Sequence, residues 1–321
     1  MNGLPLKNET WIVTDGRIGM LNQCRGLAEA VGLPWVSKEV HPRFPWSALP
    51  VTSWPSPFLS LKAGSSRFDP PWPRLVIGCG WRSIPFVIEV KRRTSGKTVA
   101  VQLQDPRVPL ELFDVVIPPE HDDLAGPNVL PIVGSPNIIT HERLADAAQK
   151  WQPFFKSYPS PRVAVLIGGK SKSHRFETAD AQVLADQLRT LSHQGYSLFV
   201  TASRRTGEAQ LKILQDSLTA RTTFLWDGKG DNPYLGMLAL CDAILVTSDS
   251  TNMMVEAAGT GKPVHIVQLA CTNPKFGALI DRLAQLGIAR RFDGTIGHWT
   301  YEPLNETARV AAIIRRKLGS S

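Results

Sequence analysis

Short apolar runs alternate with amphipathic helical stretches along almost the whole chain, and this rhythm limits the fold more than any other feature. "TWIVTD" (10–15) has strand character, and "NQCRGLAEAVG" (22–32) is a helix closed by glycine. "RLVIGCG" is a strand, "SIPFVIEVKRR" a helix, and "TVAVQLQ" and "DVVIPPE" are strands. "HERLADAAQKWQPFF" is helical and runs into "KSYPSPR", a proline-serine linker. The rhythm then restarts: "VAVLIGG", "TADAQVLADQLRTLSHQG", "SLFVTAS", "TGEAQLKILQDSL", "TTFLWD", "NPYLGMLALC" and the run at 243–246 alternate strand and helix. Such alternation requires parallel strands joined by crossover helices. The predicted class is α/β, with two doubly wound Rossmann-like domains facing a cleft. Their predicted bounds are 1–156 and 161–303. "NETARVAAIIRRKLG" carries Val310, Ile313, Ile314 and Leu318 at helical spacing. It is expected to pack, with the helix at 304–318 free to return to the first domain.

Composition excludes several classes. The 321 residues are 43% hydrophobic and 20% charged, as in a globular protein of about two domains. No apolar run approaches the ~20 residues that span a bilayer. "MNGLPLKNET" lacks a signal pattern. The four cysteines, Cys24, Cys79, Cys241 and Cys271, form no C-x-x-C and suit buried positions. Cytoplasm is the expected location, with peripheral attachment to the inner membrane as the extension. A formal net charge of +8 favours anionic partners: a phosphorylated substrate, a membrane surface or nucleic acid. No zinc-finger spacing, RNA-binding aromatic signature or long basic tract is present, so nucleic acid is not expected.

The segment at 41–74 breaks the rhythm with prolines and with Phe44, Trp46, Trp54, Phe58, Phe68 and Trp72. A flexible linker does not carry so many aromatics. Two readings stand: an irregular excursion packed on the first domain, or a lobe that meets lipid, for which tryptophan is suited.

Four strand ends carry the chemistry. In "TDGRIGMLNQ" two glycines permit a tight turn, and Asp15 and Arg17 supply charge. A satisfied aspartate in a turn is the plain alternative. "GCGWRS" places Arg82 at a glycine-rich corner, able to hold an anion. In "LQDPR", Asp105 either caps a turn or serves as a general base. "IGGKSKSHRF" offers Gly168, Gly169, Lys170 and Ser171, with backbone N–H groups, a hydroxyl and a cation. "TASRRTGE" adds Arg204 and Arg205 at the next corner, and the pair suits a pyrophosphate. The seven histidines make no metal spacing, and no G-x-S-x-G elbow occurs, so no metal is expected.

The most specific stretch is "VTSDSTNMMVEAAGTGKPV". A polar break, Ser248, Asp249, Ser250 and Thr251, opens a helix, and Glu256 is followed by Gly261 and Pro263. This resembles the E-x-x-x-x-G-x-P of the second domain of GT-B glycosyltransferases. The resemblance implies Glu256 on ribose hydroxyls and Ser248, Ser250 and Thr251 on the diphosphate side. A carboxylate accepts two hydroxyl hydrogen bonds, and a helix N-terminus favours phosphate.

The whole chain also resembles a narrower group, the mitochondrial fission ELM (elongated mitochondria) family and its bacterial relatives. The resemblance rests on "TDGRIGMLNQCRGLAEAVG", "VIGCGWRSIP", "QLQDPR", "FDVVIPPEHD", "GSPN", "IGGKSK", "TASRRT", "DNPYLGMLALCDAILVTSDSTNMMVEA" and "GKPV". It implies a GT-B-like body, an acceptor side in the first domain and a nucleotide-sugar side in the second. Plant members are linked to recruiting a dynamin-related protein. Several GT-B enzymes use a histidine in the first loop. Ile18 and Met20 stand in that loop here, and Met20 is no base, so acceptor activation falls to Asp15 or Asp105. Gly16, Arg17, Asn22, Gln23 and Arg82 are then expected on one substrate. Gly168, Gly169, Lys170, Ser171, Ser203, Arg204, Arg205, Thr206, Asn232, Ser248, Asp249, Ser250, Thr251 and Glu256 are expected on the other. The expected ligand is a nucleoside-diphosphate sugar as donor substrate, with no separate cofactor. Two alternatives stand beside transfer: a nucleotide-sugar epimerase on the same fold, and a non-catalytic adaptor joining a membrane and a protein partner.

Overall fold

A computed structural model describes residues 6–273 and 275–319. The chain divides into two compact units, Met1–Ile138 with Asn305–Ser321, and Ile139–Leu304.

The first unit is a five-stranded parallel sheet in the order β2-β1-β3-β4-β5. Its strands are β1 (Leu6–Thr14), β2 (Trp35–Glu39), β3 (Trp72–Cys79), β4 (Val99–Leu103) and β5 (Val115–Ile117). Helices α1 (Ile18–Val31) and α2 (Ile84–Arg93) are its crossovers. Strand order reverses between β1 and β3, so the unit has a topological switch point there. The sheet is apolar on both faces, as parallel sheets are. One face buries Ile12, Leu75, Ile77 and Val101 under Leu27 and Val31 of α1.

The segment at 41–74 packs on the opposite face. Trp54, Phe68 and Trp72 are 6%, 6% and 3% exposed and join Trp11 and Phe86 in one aromatic cluster. Phe58 stacks on Phe68 with ring centres 4.9 Å apart. Burial of Trp54 and Trp72 removes them from any lipid-facing role and makes the segment a covering layer. Phe44 and Leu59 do face outward, 79% and 67% exposed.

The second unit is a six-stranded parallel sheet, β11-β10-β9-β6-β7-β8. In chain order it comprises α3 (His141–Phe155), β6 (Arg162–Ile167), α4 (Thr178–His193), β7 (Ser197–Ala202) and α5 (Glu208–Ser217). These are followed by β8 (Thr223–Leu225), α6 (Tyr234–Leu240), β9 (Ala243–Thr247), α7 (Thr251–Ala258), β10 (Val264–Val267), α8 (Lys275–Gln285) and β11 (Ala289–Arg291). Its switch point lies between β6 and β9.

One boundary differs from the sequence reading. Helix α3 belongs with the second unit, because Trp151 lies on Gly236 of α6 and the Phe155 ring packs against Phe199, tilted, with centres 4.2 Å apart. The proline-serine stretch is therefore a turn inside that unit, tied by the Arg162 Nε–H donating to Tyr158 O at 2.8 Å. The last helix, α9 (Glu306–Gly319), belongs with the first unit. Its Val310, Ala311, Ile314 and Leu318 are buried in the α1 core cluster.

Candidate functional site

In the second unit, three neighbouring strands, β9, β6 and β7, end side by side and deliver the predicted corners to one edge. Asp249 stands at the switch point as their hub, its side chain 0% exposed. Thr247 Oγ1 donates to Asp249 Oδ1 at 2.7 Å, the Gly169 N–H donates to Oδ2 at 2.8 Å, and Arg205 Nη2 pairs with Oδ2 at 2.9 Å. Thr247 in turn accepts the Gly168 N–H at 2.8 Å. A Cβ on Gly168 would sit 2.2 Å from Asp249 Oδ2, so only glycine admits this contact.

Most small polar residues of these corners fasten strand ends to one another. Ser203 Oγ donates to Gly168 O at 2.8 Å and accepts the Arg205 N–H at 3.1 Å. Thr206, 2% exposed, also donates to Gly168 O. Ser171 Oγ accepts the N–H groups of Ser173 and His174 at 3.2 and 3.0 Å. Ser248 Oγ accepts the Leu269 N–H at 2.9 Å, joining the β9 and β10 corners. Asn232 Oδ1 accepts the Tyr234 N–H at 3.0 Å and sets the start of α6.

One expectation is corrected here. The N–H groups of Gly168, Gly169, Lys170 and Ser171 go to Thr247, Asp249, Arg205 and His174, so this glycine corner holds no open cradle for phosphate. Anion-favouring groups remain elsewhere on the edge. Lys170 and Arg204 are exposed, Arg205 keeps 43% of its side chain exposed, and Ser250 caps α7 without a side-chain cap bond. The first-turn amides of any helix lack intrahelical acceptors. Thr251 begins that turn, half-buried.

Glu256 sits farther along α7, 7% exposed. The Tyr234 hydroxyl donates to its Oε2 at 2.5 Å. Burial raises the Glu256 pKa to about 7, although the Tyr234 hydrogen bond pulls the other way. Burial, with the facing carboxylate, also pushes the Tyr234 phenol well above its usual range. Tyr234 escaped the sequence reading because its 22-residue separation from Glu256 is closed only in the folded unit.

In the first unit, the ends of β1 and β3 meet through Asp15. Its side chain is 4% exposed. Arg17 Nε donates to both carboxylate oxygens at 3.0 Å and Nη2 to Oδ2 at 2.8 Å. Arg82 Nη1 lies 3.6 Å from the same Oδ2. Burial would raise the Asp15 pKa, but Arg17 hydrogen bonds and the Arg17 and Arg82 charges outweigh it and hold the carboxyl below its usual range. So held, Asp15 anchors two guanidiniums and is a weak proton acceptor. Asp105 Oδ1 accepts the Arg107 N–H at 2.8 Å and caps its turn, flanked by Gln104 and Arg107 at φ +70° and +53°. Gln23 is buried and accepts the Cys79 thiol at 3.5 Å, while Asn22 is half-buried on α1.

A pair absent from the predicted set lies beside this corner: His41 Nε2 is 2.9 Å from Glu39 Oε1, just past the end of β2. Gly16, at φ +81°, leaves room for the Glu39 carboxylate, which would meet a Cβ at 2.2 Å. The two-residue spacing of a glutamate and a histidine at the end of β2 was the available signal.

Among the described residues no group of three His, Cys, Asp or Glu could hold a metal, and no helix is long and apolar enough to cross a membrane.

Two doubly wound units with ligand-type corners at their switch points define a GT-B-like, Rossmann-type α/β protein. UDP-GlcNAc 2-epimerase from Methanocaldococcus jannaschii matches with a TM-score of 0.57 at 12% identity, over 98% of this chain and 99% of that one. UDP-GlcNAc 2-epimerase from Neisseria meningitidis bound to UDP-GlcNAc matches with a TM-score of 0.50 at 13% identity, over 98% and 99%. At such identities the likeness shows the fold alone.

The family model described as Mitochondrial fission ELM1 matches residues 18–318, and the chain belongs to that family. The Arabidopsis thaliana "Mitochondrial fission protein ELM1" is 31% identical over 275 residues, 77% of this chain. The match spans 64% of the Arabidopsis protein's length. "Uncharacterized protein RP120" of Rickettsia prowazekii (strain Madrid E) is 28% identical, covering 95% of this chain and 97% of that protein.

Proposed function

We propose that the second unit binds a nucleoside-diphosphate sugar and that the protein is a metal-independent glycosyltransferase. The observation that carries this reading is the placement of buried Glu256 on α7, whose N-terminus opens at the β6/β9 switch point among Lys170, Arg204 and Arg205. Ligands of open α/β sheets bind outside the carboxyl ends of strands at such a point. From Thr251 to Glu256 the helix rises about 7.5 Å, at ~1.5 Å per residue, close to the span from diphosphate to ribose. Glu256 takes the ribose hydroxyls. Arg204, Arg205, Lys170 and the α7 amides stabilise the leaving diphosphate electrostatically.

With Asp15 and Asp105 both engaged, the proton acceptor toward the second substrate is His41, oriented by Glu39. The two UDP-GlcNAc 2-epimerases share the fold, and fold does not separate epimerisation from transfer. Isothermal titration with a panel of nucleoside diphosphates and their sugars tests the reading. Saturable binding that weakens for 2′,3′-dideoxy analogues supports it, and absence of binding across the panel removes it.

A second reading, an adaptor at an anionic membrane surface, is favoured by one observation. Phe44 and Leu59 project from the covering segment beside exposed Arg43 and Lys62. Apolar tips with cations suit an interface. It replaces the first reading if vesicles bind and no nucleotide does.

A further inference from the structure

Arg17 and Arg82 converge on one buried carboxylate from the two strand ends that flank the first unit's switch point. Asp15 spends both oxygens on Arg17 Nε and Nη2, which leaves Arg17 Nη1 turned from the bond and 60% of the side chain exposed. Arg82 is 44% exposed, comes within 3.6 Å of Asp15 through Nη1, beyond hydrogen-bond length, and lies over the Trp81 ring at 5.4 Å. The cluster holds two permanent cations against one anion. The Glu39 carboxylate lies against Gly16 of the same turn, 2.9 Å from His41 Nε2.

Guanidiniums suit bidentate capture of planar or tetrahedral oxyanions, and fixing them beforehand lowers the entropy lost on binding. A single aspartate that orients two arginines leaves outward N–H donors on both guanidiniums for a further oxyanion. We propose that the first unit binds an anionic group, a phosphate or a carboxylate, between Arg17 and Arg82, with Asp15 as the positioning residue for both. This names the ligand class of the first unit's substrate. It rests on the functional reading above only for the rest of that substrate's identity.

The test uses arginine modification of the full chain by p-hydroxyphenylglyoxal, mapped by mass spectrometry at low ionic strength. Inorganic phosphate and malonate serve as probes, and sodium chloride as the ionic-strength control. Modification of Arg17 and Arg82 should slow at least fivefold in a saturable manner, while Arg67, 90% exposed, is unaffected. Protection by phosphate alone assigns a phosphoryl group, and protection by malonate alone assigns a carboxylate. No protection by either, or equal protection by chloride, overturns the proposal. Arg17→Gln and Arg82→Gln should each weaken the protecting anion about tenfold or more, since a hydrogen bond to a charged group is worth roughly 1.5–3 kcal/mol. Wild-type protection keeps the test decisive if a variant does not fold. A protein that protects both arginines but binds no nucleotide keeps this inference and removes the donor reading. Nucleotide binding without protection does the reverse.

Discussion

Replacing Glu256 by glutamine should stabilise the ligand-free protein at alkaline pH and cost it about 1 kcal/mol in acid. In the fold the carboxyl titrates near 7 instead of 4.5, because burial disfavours its charged form more than the Tyr234 hydroxyl supports it. The folded value lies above the unfolded one, so the contribution is full below pH about 4.5 and is lost as the pH rises through about 7. Across that window the folded chain keeps a proton that the unfolded chain has released. At about 1.4 kcal/mol per pH unit, the rise amounts to roughly 3 kcal/mol. Glutamine carries no charge and still accepts from Tyr234 through its carbonyl. Allowing about 1 kcal/mol for the altered hydrogen bond, Glu256→Gln should exceed wild type by about 2 kcal/mol at pH 8.5. For a unit of this size that is roughly 4–8 °C in midpoint. Tyr234 stays protonated throughout, its phenol being raised well above its usual range, so it adds no slope. Urea unfolding of both proteins at half-unit steps from pH 4.5 to 8.5 measures the difference. Parallel pH profiles, or a variant less stable than wild type at pH 8.5, would refute the argument that Glu256 is a desolvated carboxylate.

Other consequences follow from the same contacts. Tyr234→Phe removes the one donor that lowers the Glu256 pKa, so the stability midpoint near pH 7 should move upward, read in the same urea series. Gly168→Ala drives a methyl into Asp249 and should destabilise the protein by about 1–3 kcal/mol, measured by denaturant unfolding. If Glu256 holds ribose in its charged form, nucleotide affinity should rise as the pH passes through about 7, with proton release in buffers of different ionisation enthalpy. If the covering segment meets a membrane, Phe44→Ser with Leu59→Ser should abolish sedimentation with anionic vesicles, and unchanged sedimentation would overturn that reading.

Alternation of apolar runs and helical stretches made both sheets legible, because crossover connections leave parallel strands almost no other arrangement. Strand β2 was harder. "WVSKE" is short, edge-placed and mostly exposed or half-buried, so it lacks a buried strand's apolar run. The boundary at α3 was hidden because prolines mark a turn, whereas domain membership is set by what Trp151 and Phe155 touch.

The corners were found as places but not as contacts. Sequence supplies glycines, hydroxyls and charges at strand ends. It does not reveal that Asp249 consumes the Gly169 N–H, or that Asp15 is spent on Arg17 and Arg82. The Gly169–Asp249 pairing spans 80 residues and, like that of Arg82 with Asp15, arises only when strands align. The same limit hid Tyr234 from Glu256, whereas Glu39 and His41, two residues apart, were within reach of sequence reasoning and went unpaired.

The central claim is that Glu256 and the β6/β9 edge form a nucleotide site, and calorimetric titration of UDP, ADP, GDP and CDP into wild type and Glu256→Gln at pH 8 tests it most directly. The account predicts saturable binding of at least one diphosphate to wild type, weakened about tenfold or more in the variant, with the 2′,3′-dideoxy form binding both proteins alike. Equal affinity of wild type and variant for the ribonucleotide, or no binding of any diphosphate to a folded wild-type protein, would contradict it.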